Sequence, residues 1–66
     1  MTYPSKYKTS KETLSRMEFL SNRIIRQTEF YEQTKNKDVW LSNEADIAEK
    51  GILFKLYTKQ LKDENS

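Results

Sequence analysis

Two phenylalanines and two arginines in the first half of the sequence are spaced for contacts between ring and cation. Phe19 and Arg23 are four residues apart, as are Arg26 and Phe30, and side chains at that spacing are neighbours on an α-helix. A guanidinium over an aromatic ring is favourable, and this combination is typical of protein interfaces. The cluster therefore predicts a surface for a protein partner. The alternatives are packing within the protein itself and binding of a nucleic-acid backbone, with unpaired bases stacked on the rings.

Residue types for catalysis or metal binding are scarce. The sequence contains no His and no Cys, which removes the common nucleophile–base pairs and the ordinary zinc ligands. Glu29 with Glu32 and Asp46 with Glu49 could each hold a hard cation, but nearby lysines favour a solvated charged surface. A single glycine excludes a glycine-rich phosphate loop. We expect no catalytic residue, cofactor or metal, and predict that the protein is not an enzyme.

A capping box marks the start of the first helix. Thr9 and Glu12 have the required spacing, and the residues from there to about residue 33 include neither glycine nor proline. Before it, residues 1–8 form a polar segment with Tyr3 and Tyr7 as possible contacts, which we predict to be a flexible tail. The helical periodicity predicts a core stripe of Leu14, Met17, Leu20, Ile24, Ile25 and Tyr31. Phe19 and Phe30 lie on the opposite side of the helix.

A second helix is predicted after a polar break at residues 34–38. It begins at Asp38 or, over residues 42–62, at Ser42; in the second case residues 39–41 form a packed connector. Trp40 then either closes the end of the hairpin or anchors a partner. Two apolar stripes are predicted on this helix, one of Leu41, Ala45, Ala48, Ile52 and Leu56 and the other of Ile47, Phe54, Tyr57 and Leu61. Residues 64–66 are expected to fray.

Gly51 has two interpretations. Leu41-Ser42, followed by eight further residues and then by Gly51-Ile52, resembles the first helix and turn of an excisionase-like helix-turn-helix protein. That resemblance implies a turn at Gly51 and a DNA-reading helix after it. The residues that follow are Ile52, Leu53 and Phe54, and none of them is a turn former. We therefore predict that Gly51 lies inside a continuous helix.

Charge is unevenly distributed along the chain. Residues 1–26 carry six Lys and Arg against two Glu, and the remainder carries six Lys against eight acidic residues, giving +4 and −2. Oppositely charged helices favour antiparallel docking, and the basic half leaves nucleic acid as a possible but less favoured partner. The first twenty residues contain no apolar run, and no stretch approaches the length of a membrane span. We expect a cytoplasmic protein without a membrane partner.

These patterns predict an all-α fold, an antiparallel two-helix hairpin over residues 9–63. A chain of 66 residues builds little core, and a hairpin covers only one face of each helix. We therefore expect self-association or a protein partner that completes a helical bundle. The predicted function is a non-enzymatic interaction module, a small regulator, inhibitor or assembly factor that binds another macromolecule's surface. The alternative is a small nucleic-acid-binding regulator that uses the first helix and the tail. The predicted partner-binding residues are Phe19, Arg23, Arg26, Phe30 and Trp40.

Overall fold

Two antiparallel α-helices make up the fold. The computed structural model describes residues 7–66, in which helix α1 spans Ser10–Thr34 and helix α2 spans Lys37–Glu64. The described residues contain no strand. The beginning of α1 contacts the end of α2, where the Thr13 hydroxyl donates to Gln60 Oε1 at 2.5 Å. The predicted all-α hairpin is confirmed.

The predicted cap at the start of α1 is present. Thr9 has an extended backbone, and its hydroxyl accepts from the Glu12 N–H at 3.3 Å. The same hydroxyl donates to the Glu12 carboxylate at 3.3 Å. The predicted tail falls largely on residues 1–6, which lie outside the described residues. Tyr7 packs against the core, and its carbonyl accepts from Gln60 Nε2 at 2.8 Å, so it belongs to the hairpin.

A single left-handed residue makes the turn between the helices. Lys35 has φ 55° and ψ 31°, and its N–H donates to the Tyr31 carbonyl at 2.7 Å, which ends α1. Asn36 then caps α2 by accepting from the Asp38 N–H at 2.9 Å. The second helix therefore begins at Lys37, next to the earlier of the two predicted starts. Residues 39–41 belong to its first turns and do not form a connector.

The contact face of α1 follows an alternating spacing of three and four residues. Its members are all buried or half-buried: Ser10, Thr13, Met17, Leu20, Ile24, Gln27 and Tyr31. The predicted core stripe is correct at four of these positions. Leu14 and Ile25, predicted in the same stripe, are 39% and 56% exposed because they lie at its edge.

The contact face of α2 differs more from the prediction. Its buried and half-buried residues are Val39, Ser42, Asn43, Asp46, Glu49, Lys50, Leu53, Leu56, Tyr57 and Gln60. This face lies between the two predicted stripes and includes one residue of each, Leu56 and Tyr57. Leu41 and Ile52 remain exposed on one side, and Ile47 and Phe54 on the other. The prediction chose faces by apolar content alone, whereas polar residues of α2 reach partners on α1.

The apolar core is small and lies in the half of the hairpin away from the turn. Met17 and Leu20 from α1 meet Leu53 and Leu56 from α2, and Tyr57 packs at the margin. Leu20 is fully buried and Leu53 is 2% exposed. The core fixes the helices side by side and leaves both outer flanks of each helix to solvent.

Candidate interaction surfaces

The half of the helix contact nearest the turn is polar. Asn43 Nδ2 donates to Thr28 Oγ1 at 3.0 Å, and Gln27 Nε2 donates to Ser42 Oγ at 3.3 Å. Asn43 is only 4% exposed, yet its Oδ1 has no hydrogen-bond partner among the described residues, and neither has Gln27 Oε1. Buried polar atoms cost free energy unless they are hydrogen-bonded. The buried apolar residues of the core all lie in the other half of the hairpin.

Two ion pairs tie the side of α1 that carries Phe19 to α2. Arg16 Nε donates to Glu49 Oε2 at 2.9 Å, and this hydrogen bond raises the pKa of the Arg16 guanidinium. Arg23 Nε lies 3.1 Å from Asp46 Oδ2, a contact of charges without hydrogen-bond geometry. The Asp46 side chain is 11% exposed, so its charge depends on Arg23 for compensation.

Phe19 lies between the two paired arginines. The Cζ atoms of Arg16 and Arg23 are 5.2 Å and 5.8 Å from the centre of its ring. The predicted contact between Phe19 and Arg23 is therefore formed. Arg16, three residues before Phe19, is a further member that the sequence analysis missed. We call Arg16, Phe19 and Arg23 the Phe19 surface; the ring at its centre is 50% exposed.

The second predicted pair, Arg26 and Phe30, is not joined in the same way. Phe30 is 51% exposed and shares the side of α1 that carries Phe19. Within residues 7–66, Arg26 makes neither an ion pair nor a ring contact. These two residues extend the exposed area toward the turn without building a fixed cluster.

The Phe19 surface continues onto α2 through a row of apolar residues. Glu49, the partner of Arg16, lies four residues after Ala45 and three before Ile52, and such residues are neighbours on a helix. Ala45 is exposed, and Ile52 is 50% exposed. The Arg16–Glu49 bond therefore places an exposed α2 row beside Phe19.

Trp40 contacts α1 through the ring of Tyr31. Its ring centre is 5.2 Å from that of Tyr31, with the planes tilted by 46°. The indole is nevertheless 47% exposed. Trp40 thus covers the turn end of the hairpin in part, and the exposed part of the indole leaves area to which a partner could bind.

A line of large apolar residues runs along the other flank of α2. Trp40, Ile47, Phe54 and Leu61 follow one another at intervals of seven residues and are 47%, 52%, 58% and 36% exposed. Seven residues are about two helical turns, so these side chains line up along the helix. They lie about 150° around α2 from Glu49. We call these four residues the α2 ridge.

Gly51 lies beside the α2 ridge, within the helix. It is four residues after Ile47 and three before Phe54, and its φ is not positive. The predicted helix-interior position is confirmed. A Cβ atom added to Gly51 would meet nothing within 4 Å. No contact within the hairpin therefore requires a glycine at this position.

Among residues 7–66, no group of three or more His, Cys, Asp or Glu side chains could hold a metal ion. Neither helix of this part of the chain combines the length and the apolar character of a membrane span. The carboxylates of Asp46 and Glu49 are each turned toward an arginine of α1.

The chain was compared with protein-family models, with curated protein sequences and with solved structures, and none of them matches.

Proposed function

We propose that the protein is a non-enzymatic interaction module, a small regulator, inhibitor or assembly factor that acts by covering part of another protein's surface. The observation that carries this proposal is the placement of apolar side chains. Ten large apolar residues of the described chain are at least 36% exposed, whereas four polar residues are buried between the helices. Single exposed apolar residues are ordinary, but rows of them along helix flanks are typical of binding surfaces.

The Phe19 surface is the proposed contact with the partner. Aromatic rings and arginines dominate the residues on which protein interfaces depend most. Glu49 and Asp46 hold Arg16 and Arg23 in place against α2. The ring of Phe19 thus lies between guanidinium groups that are already positioned, which reduces the side-chain entropy lost on binding. Arg26 and Phe30 are proposed as additional contacts on this side of the hairpin, and Trp40, on the other flank of α2, as a separate contact.

Completion of a helical bundle is the proposed structural outcome. A two-helix layer buries one face of each helix, and a further layer is the usual way to cover the other faces. The rows of exposed apolar residues on both flanks of α2 support this step. The covering helices come either from a partner protein or from a second copy.

Nucleic-acid binding is the second candidate function. It draws support from the six Lys and Arg residues among the first 26. Its weakness is that Arg16 and Arg23 are already paired with carboxylates. The net charge of the chain is only +2, so replacing Arg23 and Arg26 by Gln should leave a weak affinity for mixed DNA and RNA nearly unchanged. Submicromolar binding by the original chain in physiological salt, lost in the double variant, would favour nucleic acid instead.

A comparative pull-down from host cells tests the proposed function. The original chain is compared with a Phe19→Ala, Phe30→Ala variant and with a Leu14→Ala, Ile25→Ala variant. All four residues are exposed apolar side chains of α1, so the second variant controls for the loss of apolar area. We expect the original and the control chain to retain the same protein. The amount retained by the Phe19→Ala, Phe30→Ala variant should be at least tenfold lower.

Circular dichroism of the three chains shows whether the hairpin is intact in each. Equal retention by all three chains with unchanged helicity would contradict the proposed role of Phe19 and Phe30. Retention of nucleic acid alone, released by raised salt, would favour the second candidate.

A further inference from the structure

The α2 ridge has a spacing that suits pairing with itself. The position halfway along the sequence from Trp40 to Leu61 is also halfway from Ile47 to Phe54. This midpoint falls between Lys50 and Gly51. A second α2 helix in the opposite direction would therefore place Trp40 opposite Leu61 of the second copy. Ile47 would then lie opposite Phe54 of the second copy. Large side chains meet large side chains along the whole ridge, which is the arrangement of an antiparallel helix pair.

Gly51 lies at the centre of this arrangement. Within a helix glycine is less favourable than alanine, and no contact inside the hairpin compensates for it. At the crossing of two helices, however, a missing side chain lets the backbones approach closely. The position of Gly51 at the midpoint of the ridge is thus explained by a second helix and not by the hairpin itself.

We propose that a second copy of this chain packs antiparallel on the α2 ridge, with the two Gly51 residues near the symmetry axis. This deepens the proposed function, since it names the occupant of one exposed flank and leaves the Phe19 surface free. The product is a bundle of four helices, two from each copy.

The hairpin is longer and exposes more surface than a compact domain of the same length, which leaves room for a second copy. The described fold measures 47 × 21 × 15 Å with a radius of gyration of 14.0 Å, against about 11 Å for a compact domain of this length. The accessible surface of the 7.9 kDa chain is 5274 Å², and about 4,400 Å² is usual for that mass. The elongated hairpin thus exposes more surface than a compact domain of its mass, and a standard interface needs roughly 800 Å² of that surface from each partner.

Charges beside the α2 ridge neither drive nor prevent this pairing. Glu44 comes near Lys55 of the second copy, which is favourable. Lys37 comes near Lys62 of the second copy at the ends, and the two Lys50 residues come near each other beside the axis. Such solvent-screened pairs contribute little. The apolar contacts therefore dominate, and we expect association that changes little with salt.

Disulfide cross-linking tests both the ridge and its direction, because the chain has no cysteine of its own. Full-length Ile47→Cys and Phe54→Cys chains are oxidised separately and as a mixture. The proposal expects a cross-linked species at twice the 7.9 kDa monomer mass mainly in the mixture. A cross-link within each separate sample and no gain on mixing would indicate parallel packing and overturn the proposal. Leu41→Cys and Ile52→Cys chains, from the opposite flank, serve as controls and should cross-link at least tenfold less.

Light scattering tests the same pairing without cysteine substitutions, which could themselves cause the copies to dissociate. The mass of the original chain is measured by light scattering beside Phe54→Ala and Ile52→Ala, which remove similarly exposed side chains from opposite flanks. We expect Phe54→Ala alone to weaken association at least tenfold. Equal effects of the two variants, or a monomeric original chain, would overturn the proposal. In that case the pull-down with Phe19 and Phe30 variants would still decide the proposed function separately.

Discussion

Glu64, the last residue of α2, accepts two hydrogen bonds from Ser10, the first residue of α1. The Ser10 hydroxyl lies 2.6 Å from Glu64 Oε1, and the Ser10 N–H lies 2.9 Å from Glu64 Oε2. The first N–H groups of a helix have no partner within the helix, and a carboxylate is favourable at that positive end. The carboxylate at the end of α2 thus accepts hydrogen bonds from the donors at the start of α1.

This contact predicts a pH dependence of stability. The hydrogen bonds from the Ser10 hydroxyl and then from its N–H lower the pKa of Glu64 below its usual 4.5. Because the folded-state pKa is the lower one, the contribution is present above about pH 4.5 and is lost as pH falls through the folded value. Thermal melts of the original chain and Glu64→Gln should therefore differ at pH 7 and converge in acid.

The matched control for the pH series is Glu32→Gln, which removes an exposed glutamate of α1 that makes no such contact. Its melting temperature should follow that of the original chain at each pH. A difference for Glu64→Gln that persists unchanged down to pH 3 would show that the carboxylate charge does not act through Ser10.

The cap at Thr9 predicts a measurable loss of stability. Thr9→Ala removes the acceptor for the Glu12 N–H and should lower the free energy of unfolding by about 1 kcal/mol. Ser15→Ala, at an exposed position inside α1, should have little effect or a slightly stabilising one. Denaturant melts of both variants check this expectation, and an unmoved curve for Thr9→Ala would contradict it.

The position of the core predicts very different costs for two leucines of α1. Leu20 is fully buried, so Leu20→Ala should cost about 2–4 kcal/mol, which is enough to unfold much of a chain this small. Leu14 is 39% exposed, and Leu14→Ala should cost under about 1 kcal/mol. The same melts compare the two. Similar losses would mean that α1 presents the whole predicted stripe to α2.

Local features could be predicted from the sequence, and the contact face of α2 could not. The Thr9 cap, the break near Lys35 and the helical Gly51 depend on neighbouring residues alone. Burial of Asn43 and Asp46 depends on Thr28 and Arg23, which a pattern within α2 does not reveal.

The contacts of the Phe19 surface within α1 could likewise be predicted from the sequence, and its contact with α2 could not. The pairing of Phe19 with Arg23 follows from a spacing of four residues. The spacing of three between Arg16 and Phe19 was an available signal that the sequence analysis did not use. The bond from Arg16 to Glu49, by contrast, joins two helices and required the fold to be known.

Gly51→Ala separates the stability of the hairpin from its association. In dilute solution the variant should be more stable by about 0.5–1 kcal/mol, because the helix becomes easier to form and the added Cβ meets nothing within the chain. At higher concentration the same methyl group should weaken pairing through the α2 ridge. Melts at two concentrations measure both effects. Destabilisation in dilute solution with unchanged helicity would show that Gly51 is packed closely within a single copy.

The hairpin leaves apolar flanks exposed, and we propose that another chain covers them. The most direct test is the mass of the purified full-length chain by sedimentation equilibrium, from about 1 to 200 μM in buffers of low and high salt. We predict a mass that rises from 7.9 kDa toward twice that value, with little effect of salt. A chain that stays at 7.9 kDa throughout, with sharp and well-dispersed side-chain NMR signals, would contradict the claim of self-association. If that chain also captures no partner from its host, the hairpin is self-sufficient and the account is wrong.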